Sequence, residues 1–455
     1  MNKDEAADVL MNQLAPKFRA QLTKCDAIDK WARWDHDDPF QPSESDPELK
    51  VLRSQAQTPW GLLVVASIAQ GLFIDGYRTS SDEDSADVWR IWQANGFDKR
   101  QAGLFRAATT YGDAFTWTLP GVDAITGEAM PSIRGFSPRE MIALFDDPIV
   151  DDWPEVAARF RTISPGKIKV TVLDDGNLHH FTADGHDLGD LKYVDSEVHG
   201  VGVCPVTVWE NISDVDGRGY GEIEPIISVL RRLDQTKNDR LVVQQYASYV
   251  VKTISGIDIP EGEAKKAHIK LSAKKMLTSD STEAKFGSLP ASPLEPFNQS
   301  YEADLRDLSA VTQLPPHTFL GALVNLSAEA LAAASAGEAA KRDERQHSYG
   351  ESAERNLRLA AAIAGNTDAA ADYESRVIWK DTTIRSLAQV ADALGKLANG
   401  LGFPPQLLWN RIPNVTQQEI AEALDLIKEQ DVVTRALAEM AAGQTSPEAP
   451  IPEAA

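Results

Sequence analysis

Residues 312–337 read TQLPPHTFLGALVNLSAEALAAASAG, and this stretch decides how the chain is organised. Pro315 and Pro316 end the helix before them, because proline lacks a backbone donor and restricts the residue that precedes it. A short apolar segment with one glycine follows. Ser327 then fits a helix N-cap, with Glu329 in the first turn, where the helix dipole favours an acid. The stretch predicts two helices joined by an apolar loop, although connecting loops normally run over the surface.

Two long helical patterns lie on the N-terminal side of this stretch. Apolar residues recur at helical spacing over residues 224–252 and again over 298–312. Pro225 is tolerated at the start of the first pattern because its missing N–H would have no partner inside the helix. This helix would span roughly 40 Å. Residues 256–296 between the two patterns are punctuated by Gly and Pro, which predicts short elements.

The rest of the chain shows helical patterns towards both ends and strand patterns between them. Helical spacing predicts further helices over residues 1–35, 60–74, 87–111, 327–364, 383–399 and 416–442. Short β-branched runs bounded by Gly, Pro or Asp predict strands over 115–119, 167–173, 204–209 and 373–380, with hairpin turns in 174–189. The expected fold class is α+β, predominantly helical.

Composition narrows the function without deciding it. The 455 residues suffice for two or three domains, and a net charge of −23 argues against a surface that coats nucleic acid through its overall field. Cys25 and Cys204 match no metal or redox spacing, which predicts a reducing compartment. No signal-peptide pattern is present, and the longest apolar run, residues 61–73, is too short for a bilayer. We expect a soluble protein without a membrane partner.

No motif predicts catalysis or metal binding. The eight histidines show no metal-binding spacing, so we expect no catalytic residue, no metal and no cofactor. The run WDHDD at residues 34–38 is interpreted as a solvated acidic loop rather than a cation site. His179 and His180 fall in the predicted hairpin with no carboxylate nearby. Residues 217–221, GRGYG, lack the Lys-Ser/Thr of a phosphate loop and are interpreted as a flexible connector.

One segment departs from the acidic composition. Between Arg231 and Lys275 there are ten Lys or Arg residues and five Asp or Glu residues. Lys266, Lys270 and Lys274 repeat every four residues, so they would share one helix face. Such a face is solvated in many proteins, but it could also contact phosphates or an acidic neighbouring subunit.

Three segments, taken in order, carry a resemblance to a known family. They are YGEIEPIISVLRRLDQTKNDRLVVQQYASYVVKTISG at 220–256, LRDLSAVTQLPPHTFLGALVNLSAEALAAASAG at 305–337 and FPPQLLWNRIPNVTQQEIAEALDLIK at 403–428. Together with the helical N-terminal part, they make the chain resemble the portal (head-to-tail connector) proteins of tailed bacteriophages, in the branch common among phages of actinobacteria. The resemblance covers most of residues 5–440. It rests on the order of the segments more than on any single motif.

The resemblance implies a ring, usually of twelve copies, with double-stranded DNA passing through its centre without sequence specificity. Each subunit would consist of wing, stem, clip and crown regions. The implied regions are a wing at 1–222, a first stem helix at 223–254, a clip at 255–297, a second stem helix at 298–313, a tunnel loop at 314–326, a second wing part at 327–402, crown-like helices at 403–442 and a disordered tail at 443–455.

The tunnel loop of the family projects into the channel. Here it would contain Pro315, Pro316, Phe319, Leu320, Gly321, Leu323, Val324 and Asn325. An apolar loop offers passing DNA no fixed phosphate contacts, which would otherwise hold the strand. The alternative for this segment is an ordinary connector packed in the core.

Charged residues complete the set of candidates that the resemblance implies. The clip would dock partner proteins through Lys265, Lys266, Lys270, Lys274 and Lys275. The stem would line the channel or bridge subunits through Arg231, Arg232, Lys237 and Arg240.

The expected function is that of a non-enzymatic portal protein, located at one capsid vertex of the virion and in the host cytoplasm during assembly. The ring would serve genome packaging, retention and ejection. Its partners would be other copies of the chain, DNA, the terminase, the major capsid or scaffolding protein, and a head-completion adaptor. The alternative is a cytosolic hydrolase whose carboxylates converge only in the folded chain.

Overall fold

The structure is a computed structural model, and it describes residues 1–41, 47–123, 125–212, 214, 219–248, 252–255, 285–288, 293–321, 335–380, 387–409, 412, 415, 419–420 and 422–427. Its helices are α1 (Lys3–Val9), continued by a π-helical turn (Leu10–Leu14), α2 (Ala15–Ala32), α3 (Pro47–Ala56), α4 (Trp60–Gln70), α5 (Asp82–Ala94), α6 (Phe97–Tyr111), α7 (Ile227–Ser248), α8 (Glu295–Thr312), α9 (Pro316–Leu320), α10 (Ala336–Ala364), α11 (Thr367–Ala371), α12 (Leu387–Leu401) and α13 (Pro405–Leu408).

The strands complete a mixed α+β fold, as the sequence predicts. They are β1 (Ile74–Arg78), β2 (Asp113–Leu119), β3 (Ser132–Phe136), β4 (Met141–Leu144), β5 (Val156–Ser164), β6 (Lys167–Leu173), β7 (Asn177–Asp184), β8 (Gly189–Val198), β9 (Val206–Glu210), β10 (Lys252–Ser255), β11 (Lys285–Ser288) and β12 (Arg376–Trp379).

The chain divides into two compact units, and each is discontinuous in sequence. The first unit comprises Met1–Ala32, Leu63–Glu224 and Ala336–Ala455, and the second comprises Arg33–Leu62 and Pro225–Ser335. The chain therefore leaves the first unit after Glu224 and returns to it at Ala336. Residues 33–62, which the resemblance places in the wing, belong to the same compact unit as the two long helices, and the boundary of the wing stays a prediction.

The first unit is built around a five-stranded antiparallel sheet in the order β4-β5-β6-β7-β8. In β6 the alternating residues Ile168, Val170 and Val172 are buried, because successive side chains of a strand point to opposite faces. This face packs against the N-terminal helices, where Phe18 stacks on Phe160 with ring centroids 4.0 Å apart. The N-terminal helices therefore belong to the same core as the sheet.

A three-stranded antiparallel sheet, β3-β2-β9, covers part of the other face and carries α10 on its own surface. Asn356 of α10 is fully buried, and its Oδ1 accepts hydrogen bonds from Thr116 and Thr118 at 3.1 and 2.7 Å. Trp209 donates from Nε1 to the same Thr116 hydroxyl at 2.9 Å. Buried polar groups are costly unless they are hydrogen-bonded, so these contacts specify how the helix lies on the sheet.

A buried ion cluster joins the two chain segments that flank residues 225–335. Glu222 accepts from Lys341 Nζ at 2.6 Å and from Arg345 Nη2 at 2.9 Å, and the three side chains are 6%, 7% and 1% exposed. We call these three residues the neck cluster. Burial disfavours ionisation of Glu222, but the two cations outweigh it and hold the pKa of its carboxyl below the ordinary value of 4.5.

The locally encoded elements are where the sequence predicts them. Strand β6 has the predicted bounds, and β9 begins and ends within two residues of its prediction. The hairpin turns around Asp174 and Gly185 are confirmed, the latter with the left-handed φ of 65° that favours glycine. The hairpin does contain a carboxylate, however. His179 Nε2 lies 3.5 Å from Asp174 Oδ2, which corrects the prediction that no acid is near.

Several predicted helix bounds differ from the observed ones. Residues 87–111 were expected to form one helix but belong to α5 and α6, which are separated at Gly96 with φ 63°. Helix α4 ends at Gln70, and Ile74 is the first residue of β1. The backbone N–H of Ile74 donates to Oε1 of the buried Gln101, and Nε2 of Gln101 donates to the carbonyl oxygen of Ile74. A glycine inside an apolar periodic pattern does not reveal by itself whether the helix continues.

The end of the first long helix differs from the prediction. Helix α7 is described as far as Ser248, residues 249–251 lie outside the described residues, and Lys252–Ser255 form a strand where the stem helix was expected to extend to residue 254. The predicted N-cap Ser327, most of the predicted helix at 416–442 and the tail at 443–455 lie outside the described residues. Among the helices of the described ranges, none has the length and apolar character needed to cross a membrane.

Replacing Glu222 by Ala is expected to lower the free energy of unfolding by about 3–5 kcal/mol, because it leaves two cations buried without their shared partner. Equilibrium denaturation in urea, followed by circular dichroism, measures this loss. The matched control is Glu344→Ala, which removes an exposed carboxylate paired with the same Arg345 and is expected to cost less than about 1 kcal/mol.

The pH dependence provides a second readout of the same change. Because the pKa of Glu222 is lower in the folded state, its contribution is complete above pH 4.5 and is lost as the pH falls through the folded-state value. The difference in the free energy of unfolding between the parent protein and Glu222→Ala should therefore become smaller at acidic pH. A difference that grows as the pH falls would contradict this description of the neck cluster.

Candidate functional site

The second unit consists of the two long helices with their connections, and most of the candidate residues fall here. Helices α7 and α8 pack against each other. Strands β10 and β11 follow α7 and precede α8, and they pair antiparallel from Lys252 opposite Ser288 to Ser255 opposite Lys285. The two-stranded ribbon thus places Ser255 and Lys285, the residues that flank 256–284 in sequence, side by side.

Arg232 joins the two helices directly. Its Nε lies 3.0 Å from Asp304 Oδ1, and its Nη2 lies 2.9 Å from Asp307 Oδ2. The two aspartates are three residues apart on α8, so both face α7. The guanidinium fork suits this bridging geometry, but half of the side chain is exposed. We therefore infer that Arg232 links the two helices and that its ion pairs contribute about 1 kcal/mol or less to the free energy of unfolding.

The segment at residues 33–62 is fastened to α7 by a buried histidine. His36 Nε2 lies 2.6 Å from Asp234 Oδ2, and both side chains are almost completely buried. The amide of Thr58 donates to the other oxygen of Asp234 at 3.3 Å. The prediction that residues 34–38 form a solvated acidic loop is therefore wrong at His36. Its partner is 198 residues away in sequence, and no local pattern shows it.

The remaining basic candidates on α7 also contact their own chain. Lys237 donates to the hydroxyl of Thr58 at 2.7 Å, and its pKa is lowered by burial and by the neighbouring Arg240. Arg240 donates to Asn298 of α8 at 3.3 Å. Arg231 is exposed. The sequence-predicted roles of these residues in lining a channel or bridging subunits stay predictions.

The start of the predicted tunnel loop is helical and partly buried. Residues 316–320 form the single turn α9, with Pro315 at its N-cap and Gly321 at its C-cap in the left-handed region, φ 64°. Phe319 is only 6% exposed, and its ring meets Trp60 edge to face with centroids 5.8 Å apart. Leu314 is 2% exposed. These apolar residues therefore anchor the segment in the second unit.

The outward-facing residues of this turn follow the anchor immediately. Pro316, Leu320 and Gly321 are exposed, with Leu320 at 39%. Pro315 and Phe319 are buried, as the connector interpretation requires, and the role of the exposed residues in a tunnel loop stays a prediction. Leu323, Val324 and Asn325 lie outside the described residues, and so do Lys265, Lys266, Lys270, Lys274 and Lys275. Their assigned roles stay predictions.

Trp60 and Asp234 fasten the connecting segments of the second unit, and neither is among the candidates selected from the sequence. Trp60 contacts Phe319 and also donates from Nε1 to the hydroxyl of Tyr301 on α8 at 3.1 Å. Asp234 interrupts the apolar stripe of α7 directly after Leu233, which is fully buried. A charged residue beside an apolar stripe is a usable signal, since a buried carboxylate needs a partner.

The glycine-rich stretch before α7 packs closely in the first unit. A Cβ at Gly221 would lie 2.2 Å from the carbonyl oxygen of Thr110, and one at Gly219 would lie 2.7 Å from Asp113 Oδ1. These glycines are needed for close backbone approach, which corrects their interpretation as a flexible connector. Gly217 lies outside the described residues.

Two carboxylates do converge in the first unit, as the hydrolase alternative requires. Asp113 stands opposite Glu210 in the pairing of β2 with β9. Burial and the nearby Glu210 raise the pKa of Asp113 to about 7. A Cβ at Gly219 would lie 2.7 Å from Asp113 Oδ1, so the chain passes close to this carboxyl. In the ranges that the structure describes, no group of three or more metal-ligating side chains is found.

Comparison with known proteins gives one consistent result. Residues 14–432 match the family described as "Phage portal protein, SPP1 Gp6-like". The portal protein of Mycobacterium phage D29 is 27% identical over 366 residues, covering 76% of this chain and 73% of that protein. The portal protein of Mycobacterium phage L5 is 26% identical over 374 residues, with the same coverage of 76% and 73%.

A solved structure is also similar. It is a chain from the virion of a native gene transfer agent particle, 14% identical, with a TM-score of 0.43. The similarity covers 87% of this chain and 100% of that one.

Two substitutions compare how much the buried Phe319 and the exposed Leu320 contribute to stability. Phe319→Ala is expected to lower the free energy of unfolding by about 3–5 kcal/mol, because it opens a cavity against Trp60. Leu320→Ala, the matched control one residue later, should cost less than about 1 kcal/mol. Urea denaturation measures both, and equal losses would show that Phe319 is not the anchor.

Proposed function

The chain belongs to the phage portal protein family, SPP1 Gp6-like, and from this premise we propose that copies of it form a ring around a DNA channel at one vertex of the capsid. The match extends over residues 14–432 and so includes both long helices and the segments that flank them. That extent is the observation that carries the proposal. The ring would contain twelve copies and serve packaging, retention and ejection of the genome.

The second unit supplies the stem and clip in this proposal. Helices α7 and α8 are the stem helices, and the β10–β11 ribbon is the base of the clip. Residues 33–62 join the stem, because His36 and Thr58 are bound to Asp234 of α7. The first unit supplies the wing, and residues 403–442 supply the crown. Contacts with the major capsid or scaffolding protein are assigned to the wing.

The channel constriction is assigned to residues 320–326, which follow the buried Phe319 in sequence. Phe319 and Trp60 hold the base of this segment in the subunit. The residues beyond the base, LGALVNL, carry no charge. DNA-binding proteins hold the duplex mainly through cationic contacts with phosphates, so an uncharged constriction lets the duplex slide. The net charge of −23 also repels the phosphates and so favours sliding of the duplex.

Docking of other packaging proteins is assigned to the clip lysines. Lys265, Lys266, Lys270, Lys274 and Lys275 lie between the two strands of the ribbon in sequence. They would meet acidic surfaces of the terminase during packaging and of the head-completion adaptor afterwards. The family is a structural one, and we propose no catalytic activity for this chain.

The decisive experiment for the ring is the mass of the purified chain in solution, followed by electron microscopy of the same fraction. The expected particle has about twelve times the chain mass of 49.7 kDa and a central hole. Co-expression with capsid and scaffolding proteins of the same phage covers the case in which assembly needs a template. Particles of one or two chains under both conditions would contradict the proposal.

The assignment of the constriction is tested by changing its charge without touching the anchors. In the triple variant Leu320→Lys, Leu323→Lys and Val324→Lys, rings should still form, but DNA packaging into capsids should slow down. The reason is that a ring of cations holds the phosphates, and raising the salt concentration should relieve the effect.

The matched control replaces the same three residues by Ala and should package at close to the parent rate. Packaging per capsid is measured by nuclease protection of the DNA. If the Lys and Ala variants package equally well, the segment does not meet the duplex.

A further inference from the structure

A basic pocket lies in the first unit, apart from the stem and tunnel segments. It has a volume of about 230 Å³ and is lined by residues from both larger sheets. Four cationic side chains line it: Arg134 on β3, Arg159 and Arg161 on β5, and Lys169 on β6. Against them stands Glu197 on β8. Such a concentration of positive charge is unexpected in a chain with a net charge of −23.

The cations of this pocket repel one another. Arg161 is directly opposite Lys169 in the pairing of β5 with β6, and like charges in that position destabilise a sheet. In the described part of the chain, Arg134, Arg161 and Lys169 form no ion pair. Burial and Lys169 lower the pKa of His180, which lines the same pocket. Arg134 and Arg161 are exposed, so these cations are accessible to an anionic partner.

The pocket also has an apolar side, which constrains what that partner is. Trp117 and Leu178 line it and are each less than a tenth exposed. Arg159 stacks over Phe136 at 4.4 Å and is paired with Glu140 at 3.2 Å. Its Nε has no hydrogen-bond partner in the described chain. The fitting ligand thus combines an apolar body with carboxylates, which arginine binds well.

A turn of matching chemistry projects from the same unit. Between β4 and β5, residues 146–152 read DDPIVDD, and all seven are exposed. We call this segment the acidic turn. Ile149 and Val150 at its tip are 62% and 74% exposed, with two aspartates on either side.

Internal hydrogen bonds hold the acidic turn in one shape. The amide of Asp147 donates to Asp151 Oδ2 at 2.8 Å, and the amide of Ile149 donates to Asp147 Oδ1 at 3.0 Å. At its base, Asp152 is paired with Arg355 of α10 at 2.8 Å. A turn ordered in this way loses little conformational entropy when it binds.

We propose that the acidic turn of one copy inserts into the basic pocket of a neighbouring copy, with Ile149 and Val150 against Trp117 and Leu178. The aspartates of the turn neutralise Arg134, Arg161 and Lys169. This inference rests on the proposed ring. Two different surfaces of the same chain meet in this contact, which is the kind of interface that closes a ring.

Nucleic acid fits the pocket less well than the acidic turn does. A phosphate backbone would make no favourable contact with the apolar side of the pocket. The negative net charge of the chain also opposes its approach. The volume suits a few side chains rather than a duplex. An acidic polypeptide segment with an apolar tip satisfies both sides of the pocket.

The first test measures binding of a labelled peptide, residues 144–153 (LFDDPIVDDW), to the full chain by fluorescence anisotropy. The affinity should fall at least tenfold in the variant Arg161→Glu with Lys169→Glu. The matched control, Lys99→Glu with Arg100→Glu, reverses two exposed cations of the same unit and should leave binding unchanged. Circular dichroism and thermal unfolding check that each variant is folded.

A second peptide separates specific insertion from general charge attraction. In it Ile149 and Val150 are replaced by Asp, so the peptide is more acidic but lacks the apolar tip, and it should bind more weakly. Equal or tighter binding of this peptide, or equal binding by the pocket and control variants, would overturn the proposal. So would a DNA oligonucleotide that binds through Arg161 and Lys169 when the peptide does not.

The contact between full chains is tested by a cross-link from Val150→Cys to Leu119→Cys, since Leu119 lines the pocket. The native thiols do not interfere, because Cys25 and Cys204 are buried and burial raises the pKa of Cys25 to about 12. Oxidation of the double variant should give a ladder of chain multiples on a denaturing gel, and neither single variant should.

The outcomes distinguish this inference from the proposed function. Rings seen by microscopy without peptide binding and without a ladder overturn the inference alone. Absence of rings contradicts the proposed function, and the peptide measurement still reports on the pocket.

Discussion

The interaction on which the rest of the structure depends is the neck cluster. Glu222 stands just before the chain leaves the first unit, and Lys341 and Arg345 stand just after it returns. A carboxylate shared by two buried cations ties the outgoing and the returning segments together. Because all three side chains are buried, losing Glu222 would leave two buried cations without their shared partner. The two segments that flank residues 225–335 are therefore held next to each other.

Local patterns made part of this fold predictable from the sequence. Strand β6 alternates apolar and polar residues, and α7 carries an apolar stripe with a proline before its first turn, so their type and approximate extent could be read directly. The break at Gly96 and the helical turn α9 could not, because both depend on what packs around them. The resemblance to portal proteins came from the order of the elements, and the family match over residues 14–432 confirms it.

The candidate site was less accessible from sequence, and the reason is distance along the chain. Glu222 meets Lys341 and Arg345 across 119 and 123 residues, and His36 meets Asp234 across 198. Periodicity carries no information about such pairs. The basic residues of α7 illustrate the consequence. Arg232, Lys237 and Arg240 each contact a group of their own chain, and no sequence pattern indicated these contacts.

The β10–β11 ribbon has a consequence for how this protein can diverge. The paired strands hold Ser255 and Lys285, which flank residues 256–284 in sequence, opposite each other at one strand spacing of about 5 Å. Lengthening a loop whose ends are already held together costs little, since closure entropy grows only slowly with length. Insertions, deletions or exchanges of that segment between related phages would leave the helices on either side undisturbed. The ribbon thus allows residues 256–284 to change in length and sequence while α7 and α8 keep their packing.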